Sequence, residues 1–145
     1  MKSISLLEVE YIVFRLAQEM MTFNEPIPDF STRLPNVLES CVAVPFQRFE
    51  RKSLYQGLLS KAAILFYLMI KNHPFQNGNK RIAMTTLFVL LHKNKKWLKV
   101  DVLELYNFSI WVASSPARFK DETTKAIEKF LKIYLVDLLN PRNPV

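Results

Sequence analysis

The sequence predicts an all-α fold, a bundle of about six helices with one small β-hairpin. Three features point that way. Apolar residues recur at helical spacing through most of the chain. Breakers such as Asn24-Glu-Pro-Ile-Pro28 and Ser114-Ser-Pro116 separate those windows. Glycine is scarce, at 2 residues in 145, so few positions take positive φ cheaply and a many-turned β-sandwich is disfavoured. At this length one domain, 1–145, is expected.

The first helix is predicted from Ser5 to about Met21, with Leu6, Val9, Ile12, Val13 and Leu16 at helical spacing. Ser5 and Glu8 fit a capping box at its start. A short helix follows at about Leu34 to Ser40. Cys41 to Phe49 is β-branched and aromatic, with Pro45 inside it, and reads as an extended edge or small hairpin. Ser53 to about Asn72 is a long helix carrying Leu54, Leu58, Ala62, Leu65 and Met69. Asn79 to about Asn94 is apolar on nearly every side and is predicted to be the buried central helix. Asp101 to Ser114 places Val102, Leu105, Tyr106 and Ile110 on one face. A last helix runs from about Lys120 to Leu139.

Half of the residues are hydrophobic, enough for a full core. The single cysteine, Cys41, excludes an internal disulfide framework and, beside Val42 and Val44, reads as a small apolar filler. The longest apolar run, Ala62 to Ile70, lies between Lys61 and Lys71 and is far short of the roughly 20 residues a membrane span needs. Glu8 and Glu10 interrupt any signal-like apolar segment near the start. No membrane association is expected, and a cytoplasmic location is. The formal charge of +7 admits an acidic partner, a nucleic acid or a phosphate ligand. The cluster His92-Lys-Asn-Lys-Lys96 with Lys99 reads as the cationic end of a helix, so direct nucleic-acid binding is not expected. Trp97 and Trp111 read as core or interface aromatics.

The chemistry concentrates in His73-Pro-Phe-Gln-Asn-Gly-Asn-Lys-Arg81. Pro74 stops the preceding helix just after His73, whose ordinary pKa suits a general base. Phe75 is a large apolar anchor. Gly78 and Asn79 come where a helix begins, and there free N–H groups and the positive end of the helix dipole make an anion site. Lys80 and Arg81 add two cations at that end. Cations are normally unfavourable at a helix N-terminus, so their presence implies an anion that compensates them. An arginine grips phosphate with paired hydrogen bonds, whereas a lysine acts as a point charge.

The run HPFQNGNKR resembles the signature of the Fic (filamentation induced by cAMP) family, His-x-Phe-x-(Asp/Glu)-Gly-Asn-(Gly/Lys)-Arg, between two helices. Lys80 is most similar to the death-on-curing (Doc) branch of toxins. The resemblance implies a Fic-like bundle that uses ATP or another nucleoside triphosphate with Mg²⁺. His73 would be the general base that takes a proton from a target hydroxyl, and Phe75 would be structural. Gly78, Asn79, Lys80 and Arg81 would hold nucleotide phosphates. Val42, Val44 and Phe46 would lie in a flap that pairs with the target protein. In the Doc branch the reaction is phosphoryl transfer, with elongation factor Tu as the target class and an antitoxin peptide as partner. The alternative is AMPylation by nucleotidyl transfer. One position departs from the signature: Asn77 stands where the family keeps the acid that helps bind Mg²⁺, and an amide oxygen is the weaker ligand. A binding module with a weakened site is therefore a third reading. The family's inhibitory pattern, (Ser/Thr)-x-x-x-Glu-(Gly/Asn), is approached only by Thr124 to Glu128 and fails at Lys129.

Overall fold

A computed structural model describes residues 1–20 and 25–138. Helix α1 (6–20) opens as its sequence predicts. The Ser5 hydroxyl accepts the Glu8 N–H at 3.1 Å, and the Glu8 carboxylate accepts the Ser5 N–H at 2.9 Å. Midway, Val9–Val13 forms a π-helical turn, in which the Phe14 N–H reaches back to the Val9 carbonyl. The predicted end at Met21 falls outside the described residues.

The segment around 41–49 differs from its prediction. Val37–Ala43 is a helix, α2, and Val44–Phe46 continues as a 3₁₀ turn. Val42, Val44 and Phe46 are thus helical rather than extended. Tertiary burial overrides β-propensity here, because Leu38 and Cys41 turn into the core from one helical face. Pro45 sits in the first turn of the 3₁₀ segment, where a missing N–H costs nothing. The hairpin lies further on, as β1 (Arg48–Phe49) and β2 (Lys52–Ser53). Its two turn residues, Glu50 and Arg51, both take positive φ, as hairpin turns require.

Two helices form the centre. Helix α3 (Gly57–Lys71) starts four residues later than predicted, because 52–53 pairs in the hairpin, and it buries every residue from Lys61 to Ile70. Helix α4 (Asn79–Lys93) is buried on nearly every side, as its composition predicts. It shares the centre with α3, and α3 also packs on α6 (Lys120–Tyr134). Lys61 is buried; its ammonium donates to the Tyr55 carbonyl and lies 5.6 Å from the Phe46 ring centre.

Helix α5 (Val102–Ser114), capped by Asp101, buries Leu105, Ser109 and Val112. The predicted face is rotated: Val102 and Ile110 are exposed. Apolar residues on several sides of 102–113 leave the buried face ambiguous by periodicity alone. Helix α6 ends at Tyr134 instead of near Leu139. Leu135–Asp137 is a strand, β4, paired antiparallel with β3 (Lys96–Leu98). This second strand pair has no counterpart in the sequence reading, and residue 139 lies outside the described residues.

Cys41 is fully enclosed, and burial pushes its thiol up to about 12, against a smaller opposing effect of Asn72. It is a neutral filler. Among the described residues no helix is long and apolar enough to cross a membrane.

The rotated face of α5 is open to a direct check. Leu105→Ala is expected to lower stability by about 2–5 kcal/mol, and Ile110→Ala by less than about 0.5 kcal/mol, as measured by chemical denaturation. Equal losses would restore the predicted face.

Candidate functional site

The loop 72–78 joins the two central helices, so any chemistry on it is carried by the buried centre of the fold. Phe75 is buried and anchors the loop, its ring 4.9 Å from Phe14 and 6.2 Å from Phe30. The Pro74 carbonyl accepts the Leu34 N–H at 2.9 Å. His73 leaves α3 with φ +47, a left-handed conformation that turns the chain sharply and leaves the imidazole exposed.

Asn79 braces this loop. Its side-chain carbonyl accepts the Phe75 N–H at 3.1 Å, and its amide donates to the Phe75 carbonyl at 2.8 Å. The same amide nitrogen lies 3.5 Å from His73 Nδ1, at the limit of a hydrogen bond, so the ring is placed without being locked.

Gly78 has φ +74 and caps α4. A methyl group there would come within 2.7 Å of the Pro26 carbonyl oxygen and 3.2 Å of the Pro28 ring. Glycine is therefore required twice over, by the turn and by the close pass of the segment 26–28.

Arg81 serves that same segment. It is buried, and its guanidinium donates to the carbonyls of Ala17, at 2.6 Å, and of Glu25. The family resemblance implies nucleotide phosphates as partners of Arg81; here both terminal nitrogens are held by main-chain oxygens. Its Nε has no partner among the described residues.

The anion that two cations at a helix N-terminus call for is the carboxylate of Glu25. One oxygen accepts the Lys80 main-chain N–H at 3.3 Å. The other lies 3.7 Å from the Lys80 ammonium and accepts the Tyr106 hydroxyl at 3.2 Å. Burial first, then the neighbouring Glu25 charge, push the Tyr106 phenol up, which keeps it a donor. Glu25 carries no signal of its own in the sequence, and Tyr106 is marked there only as a position on the apolar face of its helix. The demand for an anion was legible there, but its source, 55 residues before Lys80, was not.

These groups line one polar cavity of about 320 Å³, with His73, Gln76, Asn77, Asn79, Lys80 and Glu25 around it and Ile70 and Ala113 as apolar wall. Lys71 fixes that wall by donating to the Ala113 carbonyl at 3.1 Å and the Ser115 carbonyl at 2.5 Å at the end of α5. An apolar cavity of about 430 Å³, against Phe88 and Trp97, holds none of the motif residues. His73, Asn77, Asn79 and Lys80 thus come together, while Gly78, Phe75 and Arg81 act behind them.

The donor set fits a phosphate where Glu25 now binds: a helix-end N–H, an ammonium and a phenol. It fits a protein-held magnesium ion poorly. Among the described residues the cavity's one carboxylate is committed to Lys80 and Tyr106, leaving the amides of Asn77 and Gln76. Among the described residues no three His, Cys, Asp or Glu side chains group as metal ligands.

Other sequence features resolve simply. In the basic cluster, Lys93 pairs with Glu8 and Lys96 with Asp137. Trp97 packs on Phe88, and Trp111 stacks on Phe108 with about half of its surface exposed. Glu128, on α6, is not among the partners of Arg81.

Comparison with known proteins gives one match: the model of the Fic/DOC family covers residues 6–91. No curated protein and no solved structure matches the chain.

The double demand on Gly78 separates it from Gly57, which has φ +81 but open space around the missing side chain. Gly57→Ala is expected to cost about 1–2 kcal/mol from conformation alone. Gly78→Ala adds a steric term of about 1–3 kcal/mol. Denaturation midpoints should show the larger loss at 78; equal losses would mean that the pass of 26–28 is not tight.

Proposed function

Because the chain belongs to the Fic/DOC family, whose general function is modification of proteins by transfer from a nucleotide, we propose that it transfers a phosphoryl group from a nucleoside triphosphate to a protein hydroxyl. The observation that carries this reading is the single cavity in which His73 and Lys80 meet at the N-terminus of α4. His73 takes the proton of the target hydroxyl. The hydroxyl oxygen bonds to the γ-phosphorus, the bond from that phosphorus to the β–γ bridging oxygen breaks, and the nucleoside diphosphate leaves. Lys80 and the first N–H groups of α4 bear the charge on the phosphate oxygens. Asn79 keeps the loop and the imidazole in place, and Arg81 holds the frame. Magnesium, where the nucleotide brings it, would rest on the phosphates with Asn77 as an amide ligand.

The target, a protein of the translation-factor class such as elongation factor Tu, would pair along the hairpin 48–53, in place of Val42, Val44 and Phe46, to which the family resemblance assigns the flap. A separate antitoxin peptide would restrain the enzyme in a cytoplasmic toxin–antitoxin pair. A second reading, a binding module without turnover, is favoured by Asn77 and by the internal carboxylate in the cavity.

Labelled ATP distinguishes these readings. Incubation with candidate targets is expected to give product from γ-label only. Label retained from the α position would make the reaction AMPylation instead. His73→Ala is expected to lower the rate by about 10²–10⁴-fold. Absence of any labelled product, with equal growth of cells expressing wild type and His73→Ala, would leave the binding module.

A further inference from the structure

Resting on the phosphoryl-transfer reading, we infer that the Glu25 carboxylate is a resident stand-in for a substrate phosphate, and that the nucleotide binds by displacing it. Three donors from two residues meet on this one side chain: the main-chain N–H of Lys80, the Lys80 ammonium and the Tyr106 hydroxyl. Two come from the first turn of α4 and one from α5. Donors converging from two helices onto one point make a built anion position, and a carboxylate fills it with two oxygens and a single charge. A terminal phosphate brings three oxygens and about −1.5 to −2 charges to the same donors.

The exchange needs only the side chain. The Glu25 carbonyl is held by the Arg81 guanidinium, and the next residue, Pro26, lies against Gly78. The main chain at 25–26 therefore stays in place while rotation about side-chain bonds carries the carboxylate away. Its remaining exposure, 14% of the side chain, marks an open route toward solvent.

Two consequences follow for ligand choice. The apparent affinity for any anion is lowered by the fraction of time Glu25 is away. A weakly charged ligand gains little from the exchange, whereas a triphosphate gains most, so the stand-in discriminates by charge. Lys80, at a position where a cation would otherwise be unfavourable, stays neutralised in the free protein.

Inorganic tripolyphosphate, titrated calorimetrically into wild type, Glu25→Gln and Glu25→Ala, tests the inference. Both variants are expected to bind it about tenfold more tightly than wild type. Acetate at high concentration should weaken that binding in Glu25→Ala, by refilling the vacated position, and leave wild type unaffected. Lys80→Ala should weaken binding in every background. Lys80-dependent binding with no tightening in either Glu25 variant would overturn the stand-in and leave the phosphate site intact. So would failure of both Glu25 variants to fold, since it would make the carboxylate a structural group. Absence of Lys80-dependent binding in all variants would overturn the phosphate reading and the inference with it.

Discussion

The Arg81 guanidinium is the contact on which the site depends. It is a buried cation with no carboxylate on its terminal nitrogens among the described residues, bonded instead to two main-chain oxygens. Such a charge is costly to bury unless its hydrogen bonds are made. The cost is offset by what it joins: the end of α1 through Ala17, the segment 25–28 through Glu25, and the start of α4. Remove it, and nothing in the described hydrogen bonds ties the Glu25 main chain to α4. The pass over Gly78 and the placement of the carboxylate both follow from this clamp.

The arrangement divides the motif into two layers. Phe75, Gly78 and Arg81 set main-chain positions and are buried. His73, Asn77 and Lys80 line the cavity. Asn79 belongs to both, because the side chain that braces Phe75 also touches the imidazole. A sequence pattern treats these residues as equivalent members of a signature, whereas the structure gives them distinct tasks. Arg81 is the clearest case: an arginine at the start of such a helix reads as a phosphate ligand, yet both of its terminal nitrogens donate to main-chain carbonyls.

Much of the fold was legible because its signals are local. The capping box at Ser5 and Glu8, the stop at Pro74 and the all-round apolar character of 79–93 each act within a few residues. So did the loop that carries His73. The misreadings share a different physics. Val42 and Val44 favour strands intrinsically, but burial of Leu38 and Cys41 decides for helix. The strand at 135–137 continues an apolar run that looks helical, and only pairing with 96–98, about forty residues earlier, ends the helix there. Glu25 is hidden for the same reason. It is an ordinary acid in a proline-rich break until α4 and α5 are folded around it.

Helix α1 must satisfy both ends of α4 at once. Near its start Glu8 meets Lys93, and near its finish Ala17 meets Arg81, so the two helices run antiparallel. Between these contacts lies the π-helical turn at Val9–Val13, which holds one residue more than an α-turn would. A residue in an α-helix advances the azimuth by about 100°. Loss of a single residue within that turn would restore regular α geometry and leave either contact intact, but would swing the other out of phase. The bulge is thus a phase adjuster. It sits between the two anchor points that one continuous helix addresses, and it makes the end of the molecule that carries the candidate site sensitive to a deletion in that turn.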